Sequence, residues 1–175
     1  FVLDLSGCTG STPGSITLTD PSAPELQITD PSAVCSPGTV DISVVAVTSG
    51  STGGGTLTYW TDATATTPLA DQSAVGLSGM YYIQSESNGC TDIEAVNVLV
   101  NETPVVEITD PSAVCSPGTV DISVAAVTSG STGGGTLTYW TDATATTPLA
   151  DQSALGVSGM YYIQRESKGC TDIVV

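Results

Sequence analysis

The sequence predicts an all-β chain of tandem two-layer sandwiches, and three observations carry that prediction. Thr, Val, Ile and Tyr fill short segments that Gly, Pro, Ser, Asp and Asn interrupt roughly every seven to twelve residues, the rhythm of a sandwich or barrel. No segment shows the apolar spacing of an amphipathic helix. Most informative is the internal repeat: residues 28–93 recur without a gap at 108–173. The copies differ only at Val45/Ala125, Val75/Leu155, Leu77/Val157, Ser85/Arg165 and Asn88/Lys168. The first three changes exchange one apolar side chain for another, so core volume is nearly kept while the surface drifts. A period of 80 residues, from 28 to 108, is too long for a small solenoid unit and suits an independently folding domain.

Within one copy the elements read as follows. A first strand covers about 25–29 and Pro31 breaks it, with Asp30 biased to extended geometry ahead of the proline. A second covers about 39–47, where Val40, Ile42, Val44 and Ala46 alternate with Thr39, Asp41, Ser43 and Val45. Ser49–Gly55 is a glycine-rich turn. Strand three is Thr56–Trp60, followed by a short edge strand near Thr64–Thr67 ending at Pro68 and another over about Ser73–Leu77. Gly79–Gln84 is a strong strand, Asn88-Gly89 is a hairpin signal, and the last strand covers about Thr91–Val100. Seven strands per copy point to an immunoglobulin-like Greek-key sandwich.

The chain divides accordingly. Residues 1–19 read as the C-terminal strands of a preceding repeat, because laying Cys8 over Cys90 brings Gly7 over Gly89 and Phe1 over Ile83. A joint follows at 20–24, a repeat at 25–100, a joint at 101–104 and a second repeat at 105–175, which reaches Val175 partway along its last strand. That strand, if incomplete, leaves an edge open to strand addition.

Composition narrows the function. There are two Lys+Arg against 18 Asp+Glu, no histidine, and a formal charge of −16. With 40% hydrophobic residues this is not the composition of a disordered acidic tail. Nucleic-acid binding and docking on anionic membranes both need basic residues the chain lacks, and no apolar run is long enough for insertion into a membrane. Without histidine no Ser/His/Asp or Cys/His arrangement can be assembled, and no carboxylate pair stands out; the expectation is that the chain is not an enzyme. The acidity keeps strings of near-identical domains soluble and apart.

The stretches AVCSPGTVDISVVAV, LTYWTDATATTPLADQSAV and SGMYYIQSESNGCTDIEAVNVLV together resemble the tandem immunoglobulin-like repeats of very large Bacteroidetes surface proteins, among them gliding-motility adhesins and other type IX secretion cargo. The resemblance covers Val34–Val100 and Val114–Val175. It rests on the Tyr-Trp pairs at 59–60 and 139–140, GMYYI at 79–83 and 159–163, and Asn-Gly-Cys or Lys-Gly-Cys at 88–90 and 168–170. It implies secretion to the bacterial cell surface, an adhesive or spacer role and, in some members, calcium at the joints; it carries over no catalytic residue.

Five cysteines are present, and without histidine or a CxxC pair they favour disulfides in an oxidising compartment over zinc. Several pairings stand open. One is a bond inside each repeat, Cys35–Cys90 and Cys115–Cys170, leaving Cys8 unpaired or paired outside the chain. Against it, Cys35 precedes the second strand and Cys90 opens the last, toward opposite poles of a standard sandwich and beyond the roughly 7 Å reach of a disulfide. Bonds between repeats are the alternative: Cys90–Cys115 and Cys8–Cys35, or Cys35–Cys170 joining the pole of one repeat to the facing pole of the next. Free thiols complete the set.

Adjacent Tyr59 and Trp60 must face opposite sides of a strand, so Trp60, Trp140, Tyr82 and Tyr162 are either core aromatics or outward platforms for stacking a glycan. Calcium candidates are the joint acids Asp20, Glu25, Asp30, Glu102, Glu107 and Asp110, whose competing role is to cap Asp-Pro-Ser corners; no DxDxDG loop is present. Taken together, the sequence reads as a stalk segment of an extracellular adhesin or surface fibre, a stiff acidic spacer whose partners are neighbouring copies of the same unit. The alternatives are a self-assembling, homopolymeric surface filament and a carbohydrate-binding module.

Overall fold

A computed structural model describes residues 22–175; the expected tail at 1–19, Cys8 and Asp20 lie outside them. Among the described residues the chain is all-β apart from one four-residue helix, α1, Val45–Thr48. In the first repeat β2 (Thr56–Trp60), β3 (Gly79–Ser87) and β4 (Cys90–Val98) form an antiparallel sheet in the order β2-β3-β4. In the second, β6 (Thr136–Trp140), β7 (Tyr162–Ser167) and β8 (Cys170–Val174) do the same. A third, parallel pair joins β1 (Val34–Cys35) to β5 (Val100–Asn101).

Alternation explains why these segments become strands. Along β3, Ile83 and Ser85 are buried on one side, and Tyr81 packs against the same core, whereas Tyr82 and Gln84 take the other side. Asn88 and Gly89 turn β3 into β4 with φ of 52° and 81°. That is the left-handed geometry a two-residue hairpin needs and Asn-Gly tolerates best.

The remaining segments close the core from the other side through isolated bridges. Val40 and Val75 exchange both backbone hydrogen bonds at 2.9 Å, and Glu25 and Thr52 do so at 3.0 and 2.8 Å. Ile42, Ile83, Val96 and Val98 are fully buried, joined by Leu26, Val40, Val47 and Val75. Fully burying an aliphatic side chain of this size stabilises by about 1.5–3 kcal/mol, so the core rests on a few β-branched residues.

Four expected strands are corrected here. Those at about 25–29 and 73–77 reduce to single bridges at Glu25 and Val75. The strand expected over 39–47 is a single bridge at Val40 followed by bends and α1. Asp41 is the cause: its Oδ1 accepts from Ser43 N at 2.8 Å and Ser43 Oγ at 2.6 Å, a local turn that competes with a sheet ladder. The edge strand expected at Thr64–Thr67 is likewise a turn. The Asp62 carboxylate accepts from the amides of Thr64, Thr66 and Thr67 and from the hydroxyls of Thr64 and Thr66, at 2.5 to 3.2 Å. These bonds hold its carboxyl well below the usual carboxylate range, the Thr64 hydroxyl contributing most. Asp142 repeats the arrangement in the second repeat.

Candidate functional site

The feature with a functional geometry is the junction between the repeats. The chain leaves β4 at Val98, and β5 runs parallel to β1 with Val34 opposite Val100 and Cys35 opposite Asn101. Val34 N donates to Leu99 O at 3.1 Å and Ser36 N to Asn101 O at 2.8 Å. Ser78 Oγ clamps the same segment, accepting from Val100 N at 2.8 Å and donating to Val100 O at 2.9 Å. Thr103 Oγ1 donates to Ser36 O. Buried Pro104 then leads into the second repeat, where Val106 N donates to Asp172 Oδ2 at 2.7 Å.

That last contact draws the β7–β8 hairpin to the near end of the second repeat, against the first. Cys170, at the tip, forms a disulfide with Cys35, with Cα atoms 5.6 Å apart and 135 residues between them in sequence. Asn101 Nδ2 donates to Lys168 O at 3.1 Å, and Cys35 Sγ lies 3.8 Å from Gly169 O. Cys170 is 1% exposed. Leu99, Val100, Asn101, Glu102, Gly133 and Lys168 line a cleft of about 430 Å³ beside the bond.

Of the pairings open in the sequence, the bond formed is Cys35–Cys170, between repeats; among the described residues Cys90 and Cys115 are free thiols. A bond inside the repeat fails on distance. Cys35 lies beside Asn101 of β5, beyond the far end of the strand that Cys90 begins. The eight residue steps from Cys90 to Val98 alone span about 26 Å at the rise of a strand, several times the reach of a disulfide.

The other candidates divide. Tyr59 packs on the core, and its burial, reinforced by the charge of Asp41, pushes its hydroxyl up from its ordinary value. Trp60 takes the opposite face, directly across from Tyr82, half-buried, with Nε1 donating to Thr58 Oγ1 at 3.0 Å. Trp140 and Tyr162 form the same pair.

The acids do not converge. Among the described residues no three of His, Cys, Asp or Glu come together in a way that could hold a metal ion. Asp30 accepts from Asn97 N at 2.8 Å, the backbone N–H of Glu107 takes Ser131 Oγ, Glu25 sits in its bridge, and Glu102 faces the cleft. Asp110 lies instead along a separate groove in the second repeat, beside Ile108 and Val114. Sequence reasoning passed over Asp92 and Asp172, which accept from Leu26 N and Val106 N at 2.6 and 2.7 Å and so pin each repeat's first segment to its last strand. Their identical place in both copies was the available signal.

No family model matches the chain, and no curated protein matches it. Among the described residues no helix is long and apolar enough to cross a membrane.

Proposed function

We propose that the chain is a stiff, acidic spacer of an extracellular adhesin or surface fibre, built from immunoglobulin-like Greek-key domains at 25–100 and 105–175. The observation that carries this reading is the Cys35–Cys170 bond. A disulfide across a joint adds nothing to the closure of either sheet; what it restricts is rotation of one repeat against the next. In the chain-entropy account a loop of this length stabilises by about 5 kcal/mol. A bond of this kind persists in an oxidising compartment, which fits secretion to the cell surface. The net charge of −16 holds such rods apart. Small-angle scattering tests the reading. The oxidised chain should scatter as one extended particle, and Cys35→Ala should broaden the distance distribution without unfolding either sheet. Identical curves for the two would count against a stiffening role.

A second reading has its own observation. Trp60 with Tyr82, and Trp140 with Tyr162, place an aromatic pair on the outer face of each sheet, where a sugar ring could stack. Binding on a glycan array that is lost in Trp60→Ala and Trp140→Ala together would favour a carbohydrate-binding module over a spacer; silence on the array would remove it.

A further inference from the structure

The joint uses one half from each repeat, and each repeat holds both halves. Cys35 and Cys115 occupy the same position in the two copies, as do Cys90 and Cys170. The Cys35–Cys170 bond therefore consumes one half of each kind and leaves the complementary halves, Cys115 and Cys90, as free thiols at opposite ends of the pair. We propose that Cys115 and Cys90 are the two halves of a second joint of the same kind, and that the partner is another copy of this chain docked head to tail. The inference rests on the reading of the repeats as units strung end to end.

The hairpin half has the backbone shape seen in the formed joint, and the other half keeps the same local turn. At the hairpin half, Asn88 and Gly89 have φ of 52° and 81°, against 51° and 79° for Lys168 and Gly169 beside the bonded Cys170. The two groups facing Cys35 and Asn101 there are backbone carbonyls, Gly169 O and Lys168 O. Exchanging Lys168 for Asn88 thus keeps the hairpin's two acceptor carbonyls. At the other half, Gly118 N donates to Cys115 O at 2.8 Å, as Gly38 N does to Cys35 O at 2.7 Å. What differs is cover. Val34 and Cys35 are partly buried beside β5, whereas Val114 is 51% exposed and Cys115 is exposed. Cys115 is therefore within reach of a partner's thiol.

The chemistry balances with a disulfide oxidant such as oxidised glutathione. The Cys115 thiolate attacks one glutathione sulfur and expels a glutathione thiolate; the Cys90 thiolate of the second copy then attacks Cys115 Sγ and expels the other. One disulfide forms, one is reduced, and two thiol protons pass to the two glutathiones released. Because the halves sit on different repeats, the contact is heterologous, and each copy added presents a fresh half to the next.

The test uses the full chain carrying Cys8→Ala in a glutathione redox buffer, followed by non-reducing electrophoresis and mapping of acid-site protease peptides. The expected result is a ladder of multimers whose only new linkage is Cys115–Cys90. Cys90→Ala alone and Cys115→Ala alone should each remain monomeric, and their mixture should give a dimer and nothing longer. Recovery of the Cys35–Cys170 peptide pair from each variant shows that the first joint is kept. Monomers throughout, or Cys90–Cys90 and Cys115–Cys115 linkages alongside the mixed one, would overturn the proposal. Monomers that still scatter as extended rods would overturn it while leaving the spacer reading standing.

Discussion

The two repeats are nearly the same sequence, yet they are closed to different degrees, and the difference shows which residues complete the fold. In the first, β4 runs past the hairpin to Val98, opposite Gly79, and drives Val96 and Val98 fully under the bridge segments. In the second, β8 reaches Val174, opposite Ile163. β7 accordingly begins at Tyr162, whereas β3 begins at Gly79, three residues before the matching position. The space that Val96, Val98 and Val100 fill in one copy is in the other a groove of about 690 Å³, lined by Ile108, Val114, Val120, Ile122, Leu155 and Tyr161. Val120 and Leu155 become partly exposed where Val40 and Val75 are 4% exposed. Nearly equal sequences over 28–93 and 108–173 are thus unequally covered, because the counterparts of Val96, Val98 and Val100 do not lie within residues 105–175.

The largest expected effect breaks this comparison at the buried centre. Ile83→Ala should destabilise the first repeat by about 2–5 kcal/mol, the range for a buried aliphatic truncation. Ile163→Ala should cost less, since its neighbours border an open groove and can collapse. Residue-resolved hydrogen exchange on the two variants measures both; equal losses would mean that the groove does not matter. Extending the chain after Val175 with Val-Asn-Val-Leu-Val-Asn, the segment at 96–101 of the first repeat, should erase the difference. The amides of Gly159, Met160 and Tyr161 should then gain protection to the level of Gly79, Met80 and Tyr81.

A smaller effect comes from one of the five differing positions. Ser85 is 1% exposed, with Oγ donating to Gly54 O at 2.9 Å. Arg165 reaches Gly134 O at 3.3 Å through Nη1 but leaves a buried Nε without a partner. An unsatisfied buried donor costs about 1–3 kcal/mol. Arg165→Ser should thus raise the thermal midpoint of the second repeat, and Ser85→Arg should lower that of the first.

The all-β character, Thr56–Trp60, the strong strand from Gly79 and the Asn-Gly hairpin could all be read from the sequence, because each rests on alternation or turn chemistry within a few residues. The strands expected at 39–47 and 64–67 could not. There an aspartate two residues before a serine or threonine captures the backbone locally, and apolar alternation carries no record of that competition. The joint was half visible. Cysteine positions named the candidates for bonding, but the partner of Cys35 depends on how Pro104 and Asp172 set the second hairpin against the first. That is geometry between repeats and not periodicity within one.

The smallest expected effect sharpens the comparison by being equal on both sides. Hydrogen bonds from Thr64 and Ser73 lower the carboxyls of Asp62 and Asp71, and those from Thr144 and Ser153 lower Asp142 and Asp151. The unfolded chain therefore takes up protons before the folded one as pH falls. Their stabilisation is complete above about pH 5 and is lost as pH drops below the ordinary aspartate value of about 3.9. Both repeats should weaken in parallel over that window, and Asp62→Asn with Asp142→Asn should flatten the acid limb of a denaturation series.

The claim on which the account turns is that the covalent bond lies between the repeats and not within them. Proteolysis of the oxidised chain without reductant, followed by mass analysis of the linked peptides, decides it. One peptide pair carrying Cys35 and Cys170 is expected, with Cys90 and Cys115 recovered as thiols in monomeric protein. Recovery of Cys35 with Cys90, or of Cys115 with Cys170, would contradict it.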